Sequence, residues 1–173
     1  MTDRQDALSG RTMVVSGASR GIGLAIAIGA AKQGANIVLL AKTGEPHPKL
    51  PGTVHTAVAD IEAVGGKAVP VVGDVRREED VQRAVDTAAE RFGGVDFCVN
   101  NASAIAVEPT ELLSAKKFDL MQQINIRGTF LLTKACLPHL RQSPAAHVVT
   151  IAPPLNMNPV SYTHLTLPTT PYV

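Results

Sequence analysis

The sequence has no tryptophan, two tyrosines and four phenylalanines in 173 residues, so its core must be built from valine, isoleucine, leucine and alanine. It lacks an excess of either charge: sixteen basic residues face fifteen acidic ones, which speaks against a nucleic-acid footprint. No apolar run reaches the length needed to cross a bilayer, so no membrane association is expected. The opening Met-Thr-Asp-Arg-Gln-Asp lacks the charged-then-apolar order of a signal peptide. There are only two cysteines, Cys98 and Cys136, far apart and each inside an apolar segment. They read as free buried thiols of a reducing cytoplasm, and no metal site is expected. What is present is a globular profile, 45% apolar with a mean hydropathy of +0.12, long enough for one domain with a true core.

Short β-branched runs alternate with helical patterns. "TMVVSG" (12–17), "NIVLLA" (36–41), "KAVPVVG" (67–73), "VDFCVN" (95–100) and "HVVTIA" (147–152) read as strands. Pro70 places the third at an edge of the sheet, because proline cannot donate to a ladder. Between the strands lie an Ala/Ile helix from Ile22 to Gln33 stopped by Gly34, a Val54/Ala57/Val58/Ile61/Val64 stripe, a Val81/Val85/Ala88/Phe92 stripe with acids in its first turn and Gly93 after it, and a long helical stretch over 115–141. Near-continuous apolar strands alternating with helices predict an α/β fold, a doubly wound parallel sheet covered on both faces.

"SGASRGIG" (16–23) stands where the first strand turns into the first helix. Gly17 permits the tight turn, Gly21 allows backbone to approach a phosphate, and Gly23 allows the helix to pack on the strand. The free N–H groups and positive dipole end of the helix then suit a pyrophosphate. The same residues spell G-x-S-x-G, the nucleophile elbow of α/β-hydrolases, with Ser19 as nucleophile. That reading ranks low. The elbow would follow the first strand, before its oxyanion loop, and His47, His55, His139 and His147 are scattered.

In this context Ser16–Gly23 resembles the T-G-x-x-x-G-x-G signature of the short-chain dehydrogenase/reductase family, with Ser16 for the threonine. "GDV" (73–75), "NNAS" (100–103, with Ser103 for a glycine) and "INIRGTF" (124–130) resemble that family's later motifs in order and spacing. "AKTGEPHPKLPGTVHTAVADIEAVGGKA" and "IAPPLNMNP" resemble its hydroxysteroid dehydrogenase-like branch. The resemblance implies a Rossmann-type sheet of order 3-2-1-4-5. It also implies a nicotinamide cofactor held by Gly17, Ala18, Ser19, Arg20, Gly21, Ile22 and Gly23, by Asp74 and Val75 at the adenine, and by Asn101 and Ala102. The substrate would be a small carbonyl or alcohol compound, the intact parent a homo-oligomer, and Asn125 the one catalytic residue present.

An NAD-preferring site would place a carboxylate at the end of the second strand for the ribose 2′-hydroxyl. Ala41-Lys42-Thr43 stands there instead, so Lys42, with Arg20 in the glycine loop, predicts NADP(H). The final residues, "VSYTHLTLPTTPYV" (160–173), show no alternation, helical stripe or cap. Val160–Thr169 is a direct translation of GTC TCT TAT ACA CAT CTG ACG CTG CCG ACG, adapter DNA of transposase-made sequencing libraries. The expectation is therefore an incomplete NADP-binding domain over 1–159, truncated after strand five, and a non-native tail over 160–173. The family's Tyr-x-x-x-Lys would be lost with the truncation: Tyr162 has Thr166 at +4, and no lysine follows Lys134. Ala152-Pro153 stands where the family usually carries Ser-Ser. The chain as written should be inactive, and a non-catalytic NADP-binding protein is the alternative. The helix around Asn125 should leave Met121, Ile124 and Leu131 partly uncovered.

Overall fold

The structure is a computed structural model that describes residues 7–46, 48 and 51–152. The proposed tail, Pro153 and both tyrosines lie outside the described residues. Five strands, β1 (Thr12–Ser16), β2 (Asn36–Ala41), β3 (Lys67–Val72), β4 (Phe97–Asn100) and β5 (His147–Thr150), form one sheet of order β3-β2-β1-β4-β5. All four pairings are parallel. This is the expected topology: the chain passes from β3 through α3 to β4, so the strand order reverses between the neighbours β1 and β4.

The strands are apolar at nearly every position because both faces are covered. Successive side chains point to opposite faces. Val14, Val38, Leu40 and Cys98 accordingly meet the α3 (Glu78–Phe92) residues Val81, Val85 and Ala88 and the α5 (Thr129–Leu140) residues Leu131, Leu132 and Cys136. Val15, Ile37, Leu39 and Val99 face the other way, onto Ala27, Ala30 and Ala31 of α1 (Gly21–Ala31) and Ala57 and Ile61 of α2 (Val54–Glu62). Fully burying such aliphatic side chains contributes about 1.5–3 kcal/mol each. Cys98 and Cys136 are buried and free, as expected.

Both ends of the sheet are informative. Pro70 sits in β3, an edge strand, paired only with Leu39 on β2. At the other edge β5 is exposed along its whole length, with Val148 46% and Val149 43% accessible.

The stretch expected as one helix over 115–141 is three segments. After α4 (Ala115–Met121) the backbone widens into a π-helical stretch, Gln122–Gly128, before tightening again into α5. Asn125 turns its side chain away to the backbone of Ala104, and the Thr129 hydroxyl donates to the Asn125 carbonyl at 2.8 Å. A Cβ on Gly128 would come within 2.8 Å of Val75 Cγ2, so this stretch approaches the end of β3 more closely than a larger residue permits. A 3.6-residue pattern does not register such a widening, which often marks a functional site. One expected exposure also needs correcting. Leu131 is buried against the sheet at 5% accessibility, whereas Met121 and Ile124 are partly exposed as expected, and the exposed apolar residues of the stretch are Ile126 and Phe130, with Phe118, Leu120 and Leu137 less so.

Candidate cofactor site

A cleft of about 390 Å³ opens at the C-terminal ends of the strands, where β1 and β4 diverge. In open parallel sheets ligands bind in this crevice. Its walls include Gly17, Ser19, Arg20 and Ile22 from the glycine loop, Lys42 and Thr43 after β2, and Gly73, Asp74 and Val75 after β3. Asn101, Ala102 and Ser103 follow β4, and Ile124 comes from the π-helical stretch.

The loop conformation follows from its glycines. Gly17 has φ +69° and donates its N–H to the Leu40 carbonyl at 2.8 Å. A Cβ there would meet Ala102 Cα at 2.7 Å. Behind the loop Asn101 Nδ2 donates to the Ser16 and Gly17 carbonyls at 3.0 and 3.1 Å, and a Cβ on Gly23 would fall 2.5 Å from that amide. The Ser16 hydroxyl completes the lock by accepting from the Asn101 and Ala102 N–H groups, both at 3.1 Å. The first turn of α1 is left open: Arg20, its N-cap, makes no side-chain capping bond, and the helix ladder begins with the Leu24 N–H on the Arg20 carbonyl. Uncapped N–H groups at a helix start are anion donors. Together, these open N–H groups and the free space over Gly21, where an added Cβ would meet nothing within 4 Å, fit the pyrophosphate of a dinucleotide.

The structure assigns different jobs to the residues expected here. Gly17, Ser19, Arg20, Ile22, Lys42, Asp74, Val75, Asn101 and Ala102 all line the cleft. Ala18 is fully buried and Gly23 packs behind the loop against Asn101, while Gly21 (φ +60°) is exposed at the start of α1 with open space where a Cβ would stand. Asn125 faces elsewhere. Its Oδ1 accepts from Ala104 N–H at 2.9 Å and its Nδ2 donates to Ala104 O at 2.8 Å, pinning the loop after β4 to the helix. Arg20 reaches across to donate from Nη2 to the Gly52 carbonyl at 2.8 Å, next to the Thr53–Thr56 capping box of α2. Its Nε is buried beside the cleft without a partner among the described residues.

Spacing along β2 did not disclose the carboxylate nearest Lys42. Asp74, arriving from β3, has Oδ2 3.5 Å from Lys42 Nζ and 2.6 Å from Arg76 Nη2. Burial alone would raise the Asp74 pKa, but the side-chain and backbone N–H donors of Arg76, with Lys42 nearby, hold it down at about 2. Asp80, in the first turn of α3, fixes the other side of this corner by accepting the Asp74 N–H at 2.9 Å. Burial opposes its charge too, yet that N–H and Arg83 keep it below the usual carboxylate range. Arg76 and Asp80 were not foreseen. The buried acid within the acidic first turn of α3 was the available signal, since acids there are usually only dipole partners.

No histidine accompanies Ser19 among the described contacts. His147 pairs with the first residue of β4 and the His139 ring lies beside Gly94, both at the opposite end of the sheet. Among the described residues no group of His, Cys, Asp or Glu could hold a metal, and no helix is long and apolar enough to cross a membrane.

A family model described as short chain dehydrogenase matches residues 11–163. The chain is 56% identical over 153 residues to the hydroxysteroid dehydrogenase-like protein 2 of Homo sapiens and to that of Bos taurus. The match covers 88% of this chain and 37% of each relative, so the chain spans well under half their length. Among solved structures, a short chain dehydrogenase from Mycobacterium thermoresistibile superposes with a TM-score of 0.84 at 50% identity, over 88% of this chain and 55% of that one. The L-sorbose reductase of Gluconobacter frateurii, complexed with NADPH and L-sorbose, superposes with a TM-score of 0.73 at 30% identity, over 84% of this chain and 53% of that one. With the sheet order, the glycine loop and the cleft in agreement, the chain belongs to the short-chain dehydrogenase/reductase family, in its hydroxysteroid dehydrogenase-like branch.

Proposed function

We propose that this chain is the cofactor-binding portion of an NADP(H)-dependent oxidoreductase acting on a small carbonyl or hydroxyl compound. When bound, the cofactor would supply a hydride to, or take one from, the substrate carbon. The chain's own residues bind and orient it. The open N–H groups of α1 would receive the pyrophosphate, Asp74 and Val75 would flank the adenine, and Lys42, with Arg20, would meet the ribose 2′-phosphate. The observation that carries the NADP reading is the end of β2: Lys42 lines the cleft where an NAD site would present a carboxylate. The NADPH of the sorbose reductase structure agrees with it.

Residues 1–159 form the dinucleotide-binding unit in this reading, and 160–173 are foreign to it. Proton transfer would need the tyrosine and lysine that the family places after β5, and no lysine follows Lys134. The chain as written should therefore bind cofactor without turning over. A second reading, a non-catalytic NADP-binding protein, is favoured by Ala152 after β5, which brings no hydroxyl to polarise a carbonyl. The hydroxyl that β5 does carry, on Thr150, is 3.5 Å from Asn100 Nδ2. The exposed Ile126, Phe130 and Leu137 support a homo-oligomeric parent, and the two free thiols a cytoplasmic one.

Titration with NADPH and NADH, followed by cofactor fluorescence, tests the cofactor assignment. The chain should prefer NADPH, and Lys42→Asp should reverse the preference. An unchanged ratio would reduce Lys42 to a surface charge. Steady NADPH consumption with a carbonyl substrate, abolished by Tyr162→Phe, would overturn both the inactivity and the foreign tail.

A further inference from the structure

Lys42 does not stand alone at the rim of the cleft. Its ammonium is 3.5 Å from the Asp74 carboxylate, a group that on its own would cancel the lysine's charge and repel any phosphate brought to it. Asp74 is itself occupied. Arg76 Nε donates to both carboxylate oxygens at 3.0 and 2.9 Å, Nη2 donates to Oδ2 at 2.6 Å, and the Arg76 backbone N–H donates to Oδ1 at 3.0 Å. This fork is the strong form of an ion pair. It is also anchored, because the Arg76 carbonyl accepts from the Arg127 guanidinium of the π-helical stretch and the Asp74 N–H is held by Asp80. The Lys42 side chain is 61% exposed against 12% for Asp74, so Lys42 is the arm that can leave. Arg76 itself does not line the cleft.

We propose that Arg76 is a positioning residue for cofactor specificity: by neutralising Asp74 it frees Lys42 to take a ribose 2′-phosphate. This rests on the NADP reading and goes one residue beyond it. Lys42, Asp74 and Arg76 together carry one net positive charge. Without Arg76 the corner is neutral, and a phosphate of charge about −1.5 to −2 must settle beside an uncompensated carboxylate. An unphosphorylated ribose does not meet that repulsion, so the discrimination falls on the 2′-phosphate alone.

The test compares adenosine 2′,5′-bisphosphate with 5′-AMP by calorimetry on the chain and its variants. Both ligands are titrated into the same preparation, so incomplete folding of a variant changes the number of sites and leaves the ratio of dissociation constants intact. Arg76→Met should lower the preference for the bisphosphate about tenfold at low ionic strength and less at high salt. In an Asp74→Asn background the same change should alter the ratio by less than about twofold, because the charge it compensates is gone. Persistence of the full effect in that background would mean that Arg76 touches the phosphate directly and would overturn the proposal. So would an unchanged ratio in Arg76→Met when Lys42→Met lowers it. If Lys42→Met also leaves the ratio unchanged, the NADP reading itself fails.

Discussion

Replacing Gly17 by alanine separates the glycine that shapes the loop from the one that leaves room for a ligand. Gly17 has φ +69°, and an added Cβ would lie 2.7 Å from Ala102 Cα and 3.0 Å from Ala102 N, both backbone atoms of the loop after β4. The left-handed conformation costs an L residue about 1–2 kcal/mol. Forcing a methyl into packed backbone costs about 1–3 kcal/mol more. The expected loss is therefore about 2–5 kcal/mol, a large part of a net stability of about 5–15 kcal/mol. At about 2–4 °C per kcal/mol for a domain of this size, the melting temperature should fall by roughly 4–20 °C. Gly21 is the internal control. Its φ is +60°, but no atom lies within 4 Å of an added Cβ. Gly21→Ala should therefore lose only the conformational part, about 1–2 kcal/mol, while crowding whatever binds over α1. Urea unfolding of the parent chain and both variants, side by side, gives the comparison. Equal losses in the two variants would refute the claim that Gly17 is required by the close approach of Ala102.

Two further outcomes follow from the geometry. Because the pKa of Asp74 is depressed from 3.8 to about 2, its ion pair adds stability that is fully present above pH 3.8 and lost as pH falls toward 2. That contribution is about 2 kcal/mol, and the difference in unfolding free energy between the parent and Asp74→Asn should shrink by this amount across that window; a difference independent of pH would contradict the pairing. The exposed edge strand β5 should promote self-association, so Val149→Lys should lower light scattering in concentrated solution, whereas unchanged scattering would place the contact elsewhere.

The sheet was legible because its signals are local and redundant. Strands β1, β2 and β3 are short apolar runs bounded by glycine or polar residues, and Pro70 marks the edge strand by its missing N–H. The glycine loop was equally plain, since left-handed and close-approach positions admit few residues other than glycine. What escaped was created by juxtaposition. Lys42 and Asp74 are far apart in sequence, and parallel pairing of β2 and β3 alone brings their ends together. Arg76 drew no reading from the sequence, although its fork closes on a carboxylate two residues earlier. The π-helical widening around Asn125 was hidden because the apolar period on either side remains helical. Leu131 was expected to be partly uncovered because a following helix was taken to be its cover, but Leu131 and Leu132 pack on the sheet itself, while Ile126 and Phe130 are exposed.

In this reading the cleft at the ends of β1 and β4 holds a phosphorylated dinucleotide. A crystal structure of the chain with NADP⁺ tests it most directly. The pyrophosphate should lie over the N–H groups at the start of α1 and the adenine between Asp74 and Val75 and the opposite wall, with Lys42 turned from Asp74 to the 2′-phosphate while Arg76 keeps its fork. A nucleotide bound elsewhere, or one in this cleft with Lys42 still on Asp74 and the 2′-phosphate facing solvent, would contradict it.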